Sequence, residues 1–206
     1  MAQAMLVAIR PPHILPLIMS DRTHAIPPKA LVPAKQAWRW RVTPNINIRP
    51  ISSADNAAMA GIIRTVSAEY QLTPEKGYSV ADASLDQLAE VYAPAGAIYL
   101  VIEQQSHIMG GCGIAPLAGV ADTCELQKMY FMPQIRGHGL ASAIAKLCMN
   151  FARDYGYQQI YLETTHLLPE ALRLYYHLGF RQLPQHLGNT GHCVCEIPML
   201  KPLQAG

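Results

Sequence analysis

The residues Gln134-Ile135-Arg136-Gly137-His138-Gly139-Leu140-Ala141 carry the most specific chemical signal in the chain. A strand-like run, Cys124 to Met132, leads into them, and a strongly helical run, Leu140 to Tyr155, follows. Two glycines and a small residue at such a junction let the backbone come close to a ligand. The first turn of the helix then offers N–H groups without intrahelical partners to an anion, of which a pyrophosphate is the obvious candidate. A nucleotide-like cofactor follows from that reading. Two better-known phosphate loops do not fit. No Lys-Ser or Lys-Thr follows a glycine at P-loop spacing, and Gly137-His138-Gly139 is followed by Leu140, Ala141 and Ser142 where a dinucleotide loop needs its third glycine.

What remains, Gln134-x-x-Gly137-x-Gly139 after Met129-Tyr130-Phe131-Met132-Pro133, resembles motif A of the GNAT superfamily of acyl-CoA-dependent N-acyltransferases, Q/R-x-x-G-x-G/A. The likeness extends along the chain. Glu125-Leu126-Gln127-Lys128-Met129-Tyr130 resembles the family's fourth strand, Tyr157 to Thr164 its fifth, and Ala171 to Phe180 its C-terminal helix ending LYxxLGF. Ile46-Asn47-Ile48-Arg49-Pro50 with Ala54-Asp55 is similar to its opening strand and helix start. The resemblance covers about residues 45 to 200.

The resemblance implies an α/β fold. Its mixed, mostly antiparallel sheet of six to seven strands is splayed between strands four and five and flanked by about four helices. Pantetheine would lie in the splay and the pyrophosphate on motif A. The implied cofactor-binding residues are Phe131, Met132, Gln134, Arg136, Gly137, His138, Gly139, Leu140 and Ala141, with acetyl-CoA as cosubstrate and no metal. The implied activity is acetyl transfer to a primary amine by direct attack in a ternary complex, a small-molecule acceptor being favoured. Protein or peptide N-acetylation and a non-catalytic acyl-CoA sensor are the alternatives.

Two proton movements define the catalytic candidates. An alkyl ammonium, with a pKa near ~10.4, must lose a proton before it attacks. Glu125 lies upstream of motif A where histone-acetylating members of the superfamily carry their basic glutamate; Glu163 and His166 are runners-up. The departing thiolate needs a proton, and Tyr175 occupies the tyrosine of the LYxxLGF pattern, with neighbouring Tyr176 second. A phenol of pKa ~10 can donate to a thiolate of pKa ~8.5 at the moment it leaves. A backbone N–H near Phe131 or Met132, freed by a bulge, would meet the oxyanion. One departure stands out: where many members carry a cofactor-touching asparagine, this chain has Leu168, and Thr164 or His166 could substitute. For the acceptor pocket the candidates are Tyr70, Tyr78, Tyr92 and His192, with Glu75 and Asp82 as attractors of a cationic amine.

The elements that must position these groups are legible in outline. Ile46 and Ile48 alternate as a strand, and Asp55 can cap a helix with Met59, Ile62, Ile63 and Val66 on one face. Leu85 to Tyr92 reads as a second helix. Ala97 to Glu103 reads as a buried strand and Ile108 to Ala115 as a glycine-rich, bulged one. Gly156 stops the motif A helix, and Pro169 opens the last one. A final hairpin would join Arg181–Leu183 to Val194–Leu200.

Composition sets the remaining bounds. The chain has 206 residues, half of them hydrophobic, and a net charge of +2. Residues 1–45 carry six Lys/Arg against one acid, whereas residues 46–206 carry ten against thirteen. A mildly acidic domain is a poor partner for nucleic acid. The proline-rich, basic segment 1–44 reads as a flexible arm before a domain at 45–206, with Trp38 and Trp40 clamping onto a groove of that domain. The five cysteines lack metal-ligand spacing and read as buried reduced thiols of a cytoplasmic protein. No apolar run reaches the ~18 residues of a spanning helix. A homodimer is the prior for assembly.

Overall fold

The computed structural model describes residues 35, 38–76, 80, 82–188 and 195–203. Its described strands are β1 (Trp40–Thr43), β2 (Ile46–Pro50), β3 (Ile98–Gln104), β4 (His107–Pro116), β5 (Thr123–Phe131), β6 (Gln159–Thr164), β7 (Arg181–Gln182) and β8 (Ile197–Pro202). They form one sheet in the order β1-β2-β3-β4-β5-β6-β8-β7. Every neighbouring pair is antiparallel except β5 and β6. The sheet thus has eight strands where six to seven were expected. The addition is β1, which comes from the segment read as an arm; the two-residue β7 is the short remnant of the hairpin strand expected at 181–183.

Helices cover both faces. On one face lie α1 (Asn56–Glu69), a 3₁₀ run at Ala83–Gln87 and α2 (Leu88–Val91); on the other lie α3 (Leu140–Tyr155) and α4 (Pro169–His177). The all-apolar start of β3 reflects this double cover. Ile98, Leu100 and Ile102 join the core under α3, while Tyr99 and Val101 join the core under α1 and α2. The helix expected over 85–92 is therefore a 3₁₀ run ending in one α-helical turn. Asp82 caps it through Ser84 N (2.9 Å), and Asn56 Oδ1 accepts from Ala89 N (2.9 Å).

Trp38 and Trp40 do pack onto the domain. Trp38 is buried, with ring centroids 5.3 Å from Phe151 and 5.4 Å from Trp40. Lys35 Nζ donates to the carbonyls of Tyr92, Ala93 and Pro94 at 2.7, 2.8 and 2.9 Å, a cation at the end of α2. Trp40 then pairs with Ile48, so the sheet begins inside the expected arm.

The glycines of β4 make room for an aromatic. A Cβ at Gly111 or at Gly113 would lie 2.5 Å from the Tyr99 ring. The ring therefore crosses β4, and its hydroxyl donates to Lys128 O at 2.7 Å. The bulge expected in β4 is present at Met109, the extra residue between the rungs Gly110↔Ile102 and Ile108↔Glu103. A second one lies in β5, where Lys128 and Met129 together face Cys112 of β4 and Lys128 takes φ +49°.

Candidate active site

β5 and β6 hold together only at their starts. The pairs are Thr123↔Gln159, Cys124↔Ile160 and Glu125↔Tyr161, after which β5 continues along β4 to Phe131 and β6 along β8 to Thr164. A slot opens between them, widened into a cavity of about 490 Å³. Its walls come from both sides of the sheet. Val66, Tyr70 and Leu72 approach from the α1 side; Leu140, Leu174 and Tyr175 approach from the side of α3 and α4.

The phosphate-loop reading finds its geometry at one end of this cavity. Gly137 (φ +76°) and Gly139 (φ +75°) are both left-handed, a conformation that costs an L-residue about 1–2 kcal/mol. A Cβ at either would meet nothing within 4 Å, so open space lies beside the backbone there. Gly139 is the N-cap of α3, and the first intrahelical bond across it is Ala143 N to Gly139 O at 3.0 Å. The N–H groups of Leu140, Ala141 and Ser142 in that first turn have no carbonyl within the helix to donate to. Gly137, Gly139, Leu140, Ala141 and Ser142 all line the cavity. An anionic diphosphate fits this cradle.

Other residues of the loop are placed differently from expectation. Arg136 N donates to Pro133 O at 3.2 Å, so the available amides begin at Gly137. The Arg136 guanidinium reaches away to Glu69, Tyr70 and the carbonyl of Phe131. Gln134 and His138 are exposed and outside the cavity wall; the His138 ring lies 2.7 Å from Arg136 O. Met132 is also outside it, and its N–H donates to Met109 O at 2.8 Å, which removes it as an oxyanion donor. Phe131 lines the cavity. The bulge that loosens β5 sits upstream, at Lys128 and Met129. Leu168 lines the cavity with an apolar side chain and Thr164 beside it with a buried one, whereas His166 is exposed.

That bulge also reverses the facing of β5. Before it, Cys124 and Leu126 belong to the core under α3, so Glu125 and Gln127 point to the α1/α2 side. After it, Met129 and Phe131 pack on the α3 side and Tyr130 on the α1 side. Without the inserted residue, Met129 and Phe131 would share Glu125's face.

Glu125 is 5% exposed and forms part of the cavity wall. Gln127 Nε2 donates to its Oε2 at 2.6 Å, and Tyr92 OH donates to Gln127 Oε1 at 2.7 Å. Burial pushes its carboxyl up to about 7; the Glu163 charge adds to this, while the Gln127 hydrogen bond and Lys128 oppose it. A carboxyl poised there can exchange protons at neutral pH. Glu163 shares the cavity and the face. Its side chain is 2% exposed, accepting from Tyr161 OH at 2.7 Å and lying 3.1 Å from His186 Nδ1.

Tyr175 enters from the opposite face. It is 8% exposed, packs edge-on against Phe180, and points its hydroxyl at Met129 Sδ, 3.9 Å away. Burial raises its pKa, so the phenol keeps its proton. Tyr176, by contrast, is half exposed and bonded to Gln182.

A family model for the acetyltransferase (GNAT) family matches residues 63–180. The chain belongs to the GNAT family. It is 52% identical over 157 residues to the uncharacterized N-acetyltransferase YjgM of Escherichia coli K12, covering 76% of this chain and 94% of that protein. Human N-acetyltransferase 8B is 28% identical over 54% of this chain and 53% of its own length. Among solved structures, a GNAT acetyltransferase from Staphylococcus aureus superposes with a TM-score of 0.66 at 16% identity, over 77% of this chain and 99% of that one. YncA from Salmonella typhimurium, solved with its cofactor acetyl-CoA, gives 0.60 at 19% identity over 79% and 96%. PaiA N-acetyltransferase of Thermoplasma acidophilum, in complex with coenzyme A, gives 0.62 at 16% over 76% and 98%. These likenesses show the GNAT fold, and the protein is an acyltransferase enzyme, an N-acetyltransferase.

Two neighbours of Glu125 were missed from sequence: Gln127, which links it to Tyr92, and Lys128, which shapes the strand. An alternation count along β5 would have moved the expected bulge upstream of Phe131, because Leu126, Met129 and Phe131 cannot share a face in an unbroken strand. Of the acceptor candidates, Tyr70 lines the cavity, Tyr92 is core, Asp82 is paired to Lys128 at 3.0 Å, and Glu75 is exposed in a 3₁₀ turn. Tyr78 and His192 lie outside the described residues.

Proposed function

We propose that this GNAT enzyme transfers the acetyl group of acetyl-CoA to a primary amine of a small molecule, by direct attack in a ternary complex. One observation carries the reading: Glu125 and Tyr175 line a single cavity from opposite faces of the sheet, beside an anion cradle. Acetyl-CoA supplies an activated acyl thioester. The first-turn amides of α3, with Gly137 and Gly139, hold its diphosphate. The amine arrives on the α1/α2 face and gives its proton to Glu125. The bulged backbone near Met129 faces the carbonyl oxygen as negative charge develops. Tyr175, on the other face, protonates the leaving sulfur.

The thiols support direct attack over a covalent enzyme intermediate. Burial raises Cys112 and Cys124, and pushes Cys195 up to about 11, so none is a ready nucleophile. The free, buried state of Cys112, Cys124 and Cys148 suits a reducing compartment, and we place the protein in the cytoplasm. No described helix is long and apolar enough to cross a membrane. The cavity volume falls within the range of small-molecule sites.

Calorimetry with CoA and thiol release from acetyl-CoA in the presence of ethanolamine, spermidine or a lysine-containing peptide test the proposal. Saturable CoA binding with amine-dependent thiol release is expected. Binding without release across the panel would point to a sensor, preference for the peptide to a protein acceptor, and no heat from CoA would end the proposal.

A further inference from the structure

Arg136 sits in the phosphate loop, yet its side chain serves a different wall. Nη1 donates to Glu69 Oε1 at 2.6 Å and Nη2 to Glu69 Oε2 at 2.7 Å, a bidentate fork. Nη1 also lies 3.4 Å from Tyr70 OH, with the guanidinium carbon 5.7 Å from the centre of the Tyr70 ring. Nε donates to Phe131 O at 2.8 Å, which fixes the base of the side chain to the end of β5. Glu69 is the last residue of α1, and the next turn of chain puts Tyr70 and Leu72 in the cavity wall on the face toward which Glu125 points.

We infer that Arg136 is a positioning residue for the acceptor side of the site, clamping the end of α1 to the phosphate loop, and not a ligand of the cofactor phosphates. This rests on the proposed acetyl transfer for the meaning of the wall, but not for the existence of the clamp. To meet a phosphate, the guanidinium would have to leave a bidentate carboxylate, an aromatic face and a carbonyl together. The amides of the cradle need no such help, since Gly137 and Gly139 already open the backbone to an anion. The pair itself is partly exposed, 28% for Arg136 and 42% for Glu69, so it adds little to global stability. What it supplies is geometry: a planar fork and a stacked ring leave the Tyr70 wall one orientation, which a lysine cannot reproduce.

Arg136→Lys, Glu69→Gln and Glu69→Asp separate the possibilities. For the best amine of the panel above, Arg136→Lys and Glu69→Gln are each expected to raise KM about fivefold to tenfold, the scale of one charged contact, with kcat and the CoA Kd within about twofold. Glu69→Asp should recover part of the loss. Amide hydrogen exchange over residues 66–72 should quicken in both disruptive variants without any substrate present. The inference is overturned if Arg136→Lys weakens CoA about tenfold or more while Glu69→Gln leaves the amine KM and the exchange unchanged. Should no amine be turned over even by the wild type, the transfer reading fails, whereas CoA calorimetry and exchange still decide the clamp.

Discussion

The two faces of the sheet build their halves of the site by different means. On the α3/α4 face, the cradle is local: six consecutive residues from Gly137 to Ser142, two in left-handed backbone, hand over to the first turn of a helix. On the α1/α2 face nothing is local. Glu125 and Gln127 come from β5, Tyr92 from the end of α2, Glu163 from β6, and Tyr70 from the end of α1. The cradle is backbone chemistry and tolerates neighbours that point elsewhere. The α1/α2 face is side-chain chemistry, which depends on burial and on which residue the bulge leaves facing inward.

The largest expected effect is on the local side. Gly137→Glu imposes a left-handed conformation costing about 1–2 kcal/mol and sets a carboxylate beside a diphosphate; CoA affinity should fall at least about 100-fold by calorimetry. Retained affinity would mean the cradle is not where the phosphates bind. Next comes the base. Glu125→Gln should cut kcat/KM about 10²–10³-fold with CoA affinity kept. In the wild type, kcat/KM should climb with pH through about 7, because only the carboxylate can take the amine's proton; the variant should lose that limb. A wild-type profile flat across neutrality would remove Glu125 from the role.

A smaller loss is expected for the acid. Tyr175→Phe should lower kcat about tenfold and leave the CoA Kd within about twofold, since water can still deliver a proton to the sulfur. Outside catalysis, the same buried carboxyl has a stability effect. Its folded pKa of about 7 lies above the ordinary 4.5, so the folded state holds the proton more tightly than the unfolded chain. That contribution is fully present below 4.5 and is lost as pH rises through about 7. Glu125→Gln should therefore gain about 1–3 kcal/mol relative to wild type at pH 8 compared with pH 4, read from thermal melts. An unchanged difference between the two pH values would show that Glu125 is solvated, and the contrast between the faces would weaken.

Legibility followed the same division. The α3 helix, its glycine entry and its Gly156 stop were readable because each obeys a rule spanning a few neighbouring residues. So were α1 and most of the strands. The second helix was overestimated, since a periodic run from Leu85 says nothing of Asp82 and Asn56 holding it as a 3₁₀ turn. β1 was missed because prolines around it mask a strand whose support, Trp38 against Phe151 and Trp40 opposite Ile48, lies far along the chain. Arg136 looked like a phosphate ligand from its place in the motif, because its partner Glu69 is 67 residues away.

The order of residues by itself determined the GNAT family and the glycine-lined helix entry, and it named Glu125 and Tyr175 as the candidates for base and acid. Those depend on short-range backbone rules and on residue type. Only the tertiary structure decided that the two side chains meet one cavity from opposite faces, that burial raises the Glu125 carboxyl, and that Arg136 faces α1. Each of those follows from where pairing between β5 and β6 stops, from one inserted residue at Lys128, and from exclusion of water by elements distant in the chain.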